Sequence, residues 1–147
     1  MLFRSVKGRR MKDFRHRATD LTPEIILAPE ENKFLIAGKS APEDVRSLYY
    51  PILEWMEEFM IWVREKRPYT DQKPLLLKLD LEYFNSSSAK FLFDIFTNLQ
   101  TLREEGVPVE IEWHYDEEDV DLREAGEDLA LLCEMQFKYC PKSSDGQ

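Results

Sequence analysis

The sequence predicts one α/β domain, a mixed sheet with helices mainly on one face, in the order β-β-α-β-α-β-α-β. Two period-2 runs carry most of that prediction. In LLLKLDLEYF, Leu75, Leu77, Leu79, Leu81 and Tyr83 fall on one side, with Lys78, Asp80 and Glu82 on the other. In VPVEIEWHY, Val107, Val109, Ile111, Trp113 and Tyr115 alternate with Glu110, Glu112 and His114. Strands with one polar face belong to a sheet covered mainly on one side. The third observation is that helical-period segments separate these strands, which favours parallel neighbours and right-handed crossovers.

Residues 1–20 read as a basic, flexible leader, with Met11 a second candidate start. EIILA (24–28) and KFLIA (33–37) then form a hairpin around a polar Pro-Glu-Glu-Asn turn, closed by Gly38. Ala41-Pro42-Glu43-Asp44 looks like a helix start, with Ser40 as its cap. Leu48, Ile52, Trp55, Met56, Phe59, Trp62 and Val63 supply an apolar stripe to about Lys66. Pro51 interrupts it, so a turn or kink is expected near Tyr49-Tyr50. The stripe serves the core or, if partly exposed, a partner helix.

After the central strand, Phe91, Leu92, Ile95, Phe96, Leu99 and Leu102 recur at helical spacing up to the stop at Gly106. Phe93 lies off that face, as a flank of the core or an anchor beside the serine junction. Acids crowd the start of the helix that follows the second alternating strand, as the helix dipole prefers. Its buried stripe is Leu122, Ala125, Leu129 and Leu132. MQFKYC (135–140) is a last edge strand. The folded domain is therefore expected over 21–141, with 142–147 as a tail.

Composition narrows the function. The chain has 147 residues, 43% of them hydrophobic, with three Trp, six Tyr and nine Phe, which suits one folded domain. No apolar run is long enough to span a membrane, and no apolar signal segment follows the basic start. Two cysteines fit a reducing cytoplasm, and both read as core residues. The net charge is −9, but residues 1–19 carry seven basic side chains against Asp13, leaving 13 basic and 28 acidic residues beyond. A body this acidic repels nucleic acid. The leader could meet an acidic partner, an anionic membrane or the protein's own body.

The chemistry concentrates at Asn85-Ser86-Ser87-Ser88, where a strand ends and a helix begins. Small polar residues cap helices there, and free N–H groups with the helix dipole favour negative charge. A serine nucleophile would need a neighbouring base. Only His16 and His114 exist, and no G-x-S-x-G elbow is present. No catalysis by the chain itself, no cofactor and no metal are expected. As a phosphoacceptor the same position makes sense, with Lys90 four residues on as counter-charge. The plain alternative is that Asn85 and the serines only cap the helix. The run Asp116, Glu117, Glu118, Asp119, Asp121 lacks a calcium-loop pattern and reads as a solvated helix start or a dock for a basic partner.

YFNSSSAK after an LDLE strand resembles the SiaC-type regulatory phosphoproteins, whose motif runs close to Y-F-N-T-S-S-x-K. Tyr-Tyr-Pro before a Leu-Glu-Trp helix, and Trp-His-Tyr-Asp-Glu-Glu-Asp leading to Ala-Gly-Glu-Asp, keep the family's order. More distantly, the junction resembles the phosphosite of STAS-domain anti-sigma-factor antagonists. The resemblance implies a non-catalytic switch that, unphosphorylated, binds and activates a diguanylate cyclase. It further implies a Ser/Thr kinase that turns the switch off and a PP2C-like phosphatase that restores it. Ser86 is then the acceptor, with Ser87 second, and Tyr83, Phe84, Asn85, Ser87, Lys90 and Phe93 frame it. Serine in the threonine position and the basic leader are departures from the family pattern. The alternatives are an anti-sigma-factor-antagonist-like partner switch and an unregulated interaction scaffold.

Overall fold

In the computed structural model, which describes residues 10–143, the chain builds one sheet in sequence order. Strand β1 (Phe14–His16) pairs antiparallel with β2 (Glu24–Ala28), which turns through a short 3-10 segment (Pro29–Glu31) into β3 (Lys33–Ser40). Helix α1 (Val45–Lys66) crosses to β4 (Leu75–Phe84), α2 (Ser86–Glu104) to β5 (Val109–Asp116), and α3 (Val120–Leu132) to β6 (Lys138–Lys142). From β3 to β6 each strand pairs parallel with the next. Three successive crossovers of one hand lay all three helices on the same face.

That face holds the core. Leu75, Leu77, Leu79 and Leu81 of β4 are buried beside Val109, Ile111, Trp113 and Tyr115 of β5. Their alternates, Lys78, Asp80, Glu112 and His114, are half-buried on the open side. The period-2 reading of both runs therefore stands along the core, except that Tyr83 is exposed at the end of β4. Trp113 fixes α3: its indole Nε1 donates to the Leu122 carbonyl at 3.0 Å, and its ring stacks on Phe137 at 5.9 Å.

Six expectations change. The leader is not wholly outside the domain, because residues 14–16 form a sixth strand on the edge of β2. Met11 is buried in the core, and the Lys12 carbonyl accepts a 2.8 Å hydrogen bond from Trp55 Nε1. Arg10 and Arg15 pair with Glu30 and Glu31 at 3.3 Å, so basic leader meets acidic turn. Second, Ser40 does not cap α1. Asp44 does, accepting from the Ser47 amide at 3.2 Å and the Ser47 hydroxyl at 2.6 Å.

Third, Pro51 lies inside one continuous helix, exposed, about two turns from its start. Because a proline costs one helical hydrogen bond and its ring faces solvent, the burial of Leu48, Tyr49, Ile52 and Met56 around it holds the helix together. Fourth, Cys133 is buried as expected, but Cys140 is half-buried on edge strand β6. Fifth, strand β6 begins at Lys138, not Met135, and runs to Lys142, past the expected domain end at 141. Sixth, Leu132, expected in the buried stripe of α3, is exposed.

Candidate functional site

One residue, Asn85, joins β4 to α2 and ties three segments together. Its amide donates to the Ser40 carbonyl at 3.0 Å, its own carbonyl accepts from Ala89 at 2.9 Å, and its side-chain oxygen accepts from the Ser88 amide at 2.8 Å. This is an N-cap held on both sides, by the end of β3 and by the first turn of α2. The capping expectation is therefore met at Asn85 itself.

The three serines that follow have different surroundings. Ser86 and Ser87 are exposed, while Ser88 has no exposure at all. Ser88 Oγ donates to the Ser40 carbonyl at 2.9 Å and lies 2.8 Å from Ser40 Oγ, which lies 2.6 Å from the Tyr49 hydroxyl. Because Ser88 spends its proton on the carbonyl, Ser40 donates to Ser88 and Tyr49 donates to Ser40. Burial pushes the Tyr49 phenol up, with the serine hydroxyls partly offsetting it, so its proton stays in place. Ser88 is thus a structural bolt, closed to any reagent while the core is intact. The amides of Ser86 and Ser87 sit in the first turn, where no intrahelical acceptor exists.

Around this junction the expected frame is partly assembled. Tyr83 is 54% exposed and next to Lys39 in the ladder, an exposed cation that the sequence reading did not single out. Phe84 turns inward, its ring edge-on to Trp113 at 5.9 Å. Phe93 is half-buried and packs against the core. Lys90 lies four residues from Ser86 but pairs with Asp94 at 2.8 Å and covers the Phe91 ring at 5.0 Å. Serving a phosphate would require it to leave Asp94, and such an exposed (i, i+4) pair is worth only about 0.3–0.5 kcal/mol.

Sequence reasoning missed two members of the site. Tyr49 and Ser40 carry the buried hydroxyl chain that seats Ser88, yet Ser40 and Ser88 are 48 residues apart. The one local hint was the Tyr-Tyr pair. Tyr49 is buried and stacked on Phe91 at 5.4 Å, whereas Tyr50 is half-exposed and meets the same ring edge-on at 5.7 Å. Tyr50 and Lys90, which both lie against the buried Phe91 ring, thereby extend the exposed surface from the junction onto α1.

Neither histidine serves the serines. His16 Nδ1 lies 3.0 Å from the Pro23 carbonyl, and His114 Nε2 lies 3.0 Å from Glu112. The acidic run serves the start of α3. Asp116 accepts from the Glu118 amide at 2.9 Å, and Asp119 caps the helix by accepting from Leu122 at 3.0 Å.

The central strand of this α/β domain thus delivers two exposed hydroxyls to a helix start, with the third locked in the core. Residues 16–142 match the description SiaC family regulatory phosphoprotein, and the chain belongs to that family. It is 31% identical to an uncharacterized protein of Pseudomonas aeruginosa (strain UCBPP-PA14), over 86% of this chain and 94% of the relative. Among solved structures it is similar to apo-SiaC of Pseudomonas aeruginosa, with a TM-score of 0.74 and 31% identity, covering 88% of this chain and 99% of the other. It is also similar to a chain in the complex of diguanylate cyclase SiaD with its activator SiaC, from the same organism. That match has a TM-score of 0.76 and 29% identity, over 88% of this chain and all of the other. No helix of the described residues is long and apolar enough to cross a membrane.

Proposed function

We propose that this protein is a non-catalytic activator of a diguanylate cyclase, engaged when unphosphorylated and released by phosphorylation at Ser86. A Ser/Thr kinase writes the phosphate and a PP2C-like phosphatase removes it, in the cytoplasm where the cyclase acts. The observation that carries this reading is the division among the three serines: Ser86 and Ser87 are exposed and Ser88 is buried and bonded. Ser86 is favoured over Ser87 because it occupies the hydroxyl position directly after the capping Asn85, as in the family motif. Family membership and the named activator role of a related chain support the same reading.

The physical step is local. A phosphate on Ser86 adds about −1.5 to −2 charges and three acceptor oxygens. The free amides of the first turn and the positive end of α2 stabilise that charge where it is. A partner seated over Tyr83 and Tyr50 would then meet a new dianion, which a close protein contact must desolvate. The buried Ser40–Tyr49–Ser88 chain keeps the junction rigid, so added charge acts on the docking surface.

The test is reconstitution with a SiaD-type diguanylate cyclase and GTP, reading cyclic di-GMP formation. Wild type and Ser86→Ala are expected to activate, and Ser86→Glu to fail, with unchanged circular dichroism for all three. Equal activation by Ser86→Glu would overturn the switch while leaving the activator role. No activation by any variant would overturn the activator role itself.

A further inference from the structure

The open face of the sheet carries a constellation unrelated to the serines. Glu112 and His114, two apart on β5, project to the same side, and Cys140 lies directly across from His114 on β6. Among the described residues this is the one group in which three potential metal donors converge, with all ligand atoms within 4.8 Å of one another. His114 Nε2 is already 3.0 Å from the Glu112 carboxylate, and their side chains are only 16% and 21% exposed.

From this juxtaposition we propose a divalent transition-metal site, for which Zn²⁺ is the natural occupant, formed by Glu112, His114 and Cys140. The donor set decides the class of ion. One imidazole nitrogen, one thiolate and one carboxylate suit a borderline-soft cation, whereas Mg²⁺ and Ca²⁺ demand oxygen shells. Zinc bonds of about 2.0–2.3 Å in tetrahedral geometry place ligand atoms roughly 3.3–3.8 Å apart. Small side-chain rotations close the present spacing to that range, because the three Cα positions are fixed by one parallel ladder. The fourth corner faces solvent and is left for water or an exogenous ligand.

Charge is balanced at the site. The metal's two positive charges meet one carboxylate and one thiolate, and the thiol proton leaves to solvent on binding. Burial and the neighbouring Glu112 push the free Cys140 thiol up, while Lys138 and Lys78 pull it down. Those two lysines flank Glu112 in the same row of the sheet. They oppose a cation's approach and set an upper limit on affinity. A bound ion would clamp edge strand β6 to β5, on the face opposite the helices.

The experiment uses the untagged full-length chain, reduced and stripped with chelator, titrated with Co²⁺ as the optical probe. One equivalent is expected to give visible ligand-field bands and a near-ultraviolet thiolate-to-cobalt band, all displaced by Zn²⁺. Cys140→Ser should lose the near-ultraviolet band, and His114→Gln should weaken Zn²⁺ binding on the order of a hundredfold, at least what supporting-shell losses cost. Zn²⁺ should raise the melting temperature of wild type and leave that of Cys140→Ser unmoved. Absence of a thiolate band in wild type, or its persistence in Cys140→Ser, would overturn the assignment. Both variants lie on the open face, and circular dichroism reports whether they fold.

Discussion

Gly126 sits where α3 crosses Trp113, and a Cβ built there would lie 2.5 Å from two atoms of the indole. Two effects of Gly126→Ala oppose each other. Alanine in a helix interior gains about 1 kcal/mol over glycine. Overpacking a filled core costs about 1–3 kcal/mol. The indole is fully buried and tethered to the Leu122 carbonyl, so it has no room to yield. The clash therefore wins, and Gly126→Ala is expected to lower the urea midpoint by a net of up to about 2 kcal/mol in unfolding free energy. A stabilised variant would mean that the helix moves off the sheet at little cost. The same scale shows what single residues disclosed in advance. Asn85 was legible as a cap because a small polar residue opened a helical pattern. Ser88 was not distinguishable from Ser86 and Ser87, since its burial depends on Ser40 and Tyr49, which only the folded chain brings to it.

At the scale of elements, Pro51 is the clearest conflict between local preference and tertiary context. It lies in α1 with its ring exposed, and its missing N–H leaves the Ser47 carbonyl without the usual helical donor. The kink expected near Tyr49-Tyr50 gives way to continuous helix because Tyr49, Ile52, Met56 and Phe59 are all buried against the sheet. Replacing Pro51 with alanine restores the bond without disturbing that face. Pro51→Ala is expected to stabilise by about 1–3 kcal/mol, seen as a rise in melting temperature of several degrees. A fall would show that the proline shapes the helix path that the core requires. Elements with strong periodicity were legible: β4, β5 and α2 each repeat a buried residue at strand or helical spacing. Strand β1 was not, since Phe14-Arg15-His16 is short and charged and gains its place only by pairing with Leu27, Ile26 and Ile25.

For the whole molecule, the hairpin followed by three same-handed crossovers was legible because short connections leave few other topologies. The part that composition concealed is how the basic leader is used. Its charge left an acidic partner, an anionic membrane and the protein's own body all open, and from Arg10 onward it is fastened to the body by Glu30, by Trp55 and by the β1–β2 ladder. Strand β2 carries Ile25, Ile26, Leu27 and Ala28, all buried. Without β1 its outer edge becomes a row of unpaired amides and carbonyls beside apolar side chains, a template for pairing with another chain. Removing residues 1–17 also exposes the pocket that Met11 fills, and burying such a side chain is worth about 1.5–3 kcal/mol. The shortened chain is therefore expected to melt several degrees lower and to elute from a sizing column with a concentration-dependent shift toward larger species. Cyclic di-GMP output measured on its monomeric fraction should match the full chain, because Tyr83, Ser86 and Lys90 lie at the β4–α2 junction, clear of β1. A monodisperse, equally stable truncation would show that β1 is dispensable to the sheet. Retained stability with lost activation would assign the leader to the docking surface, where its charge could meet the cyclase directly.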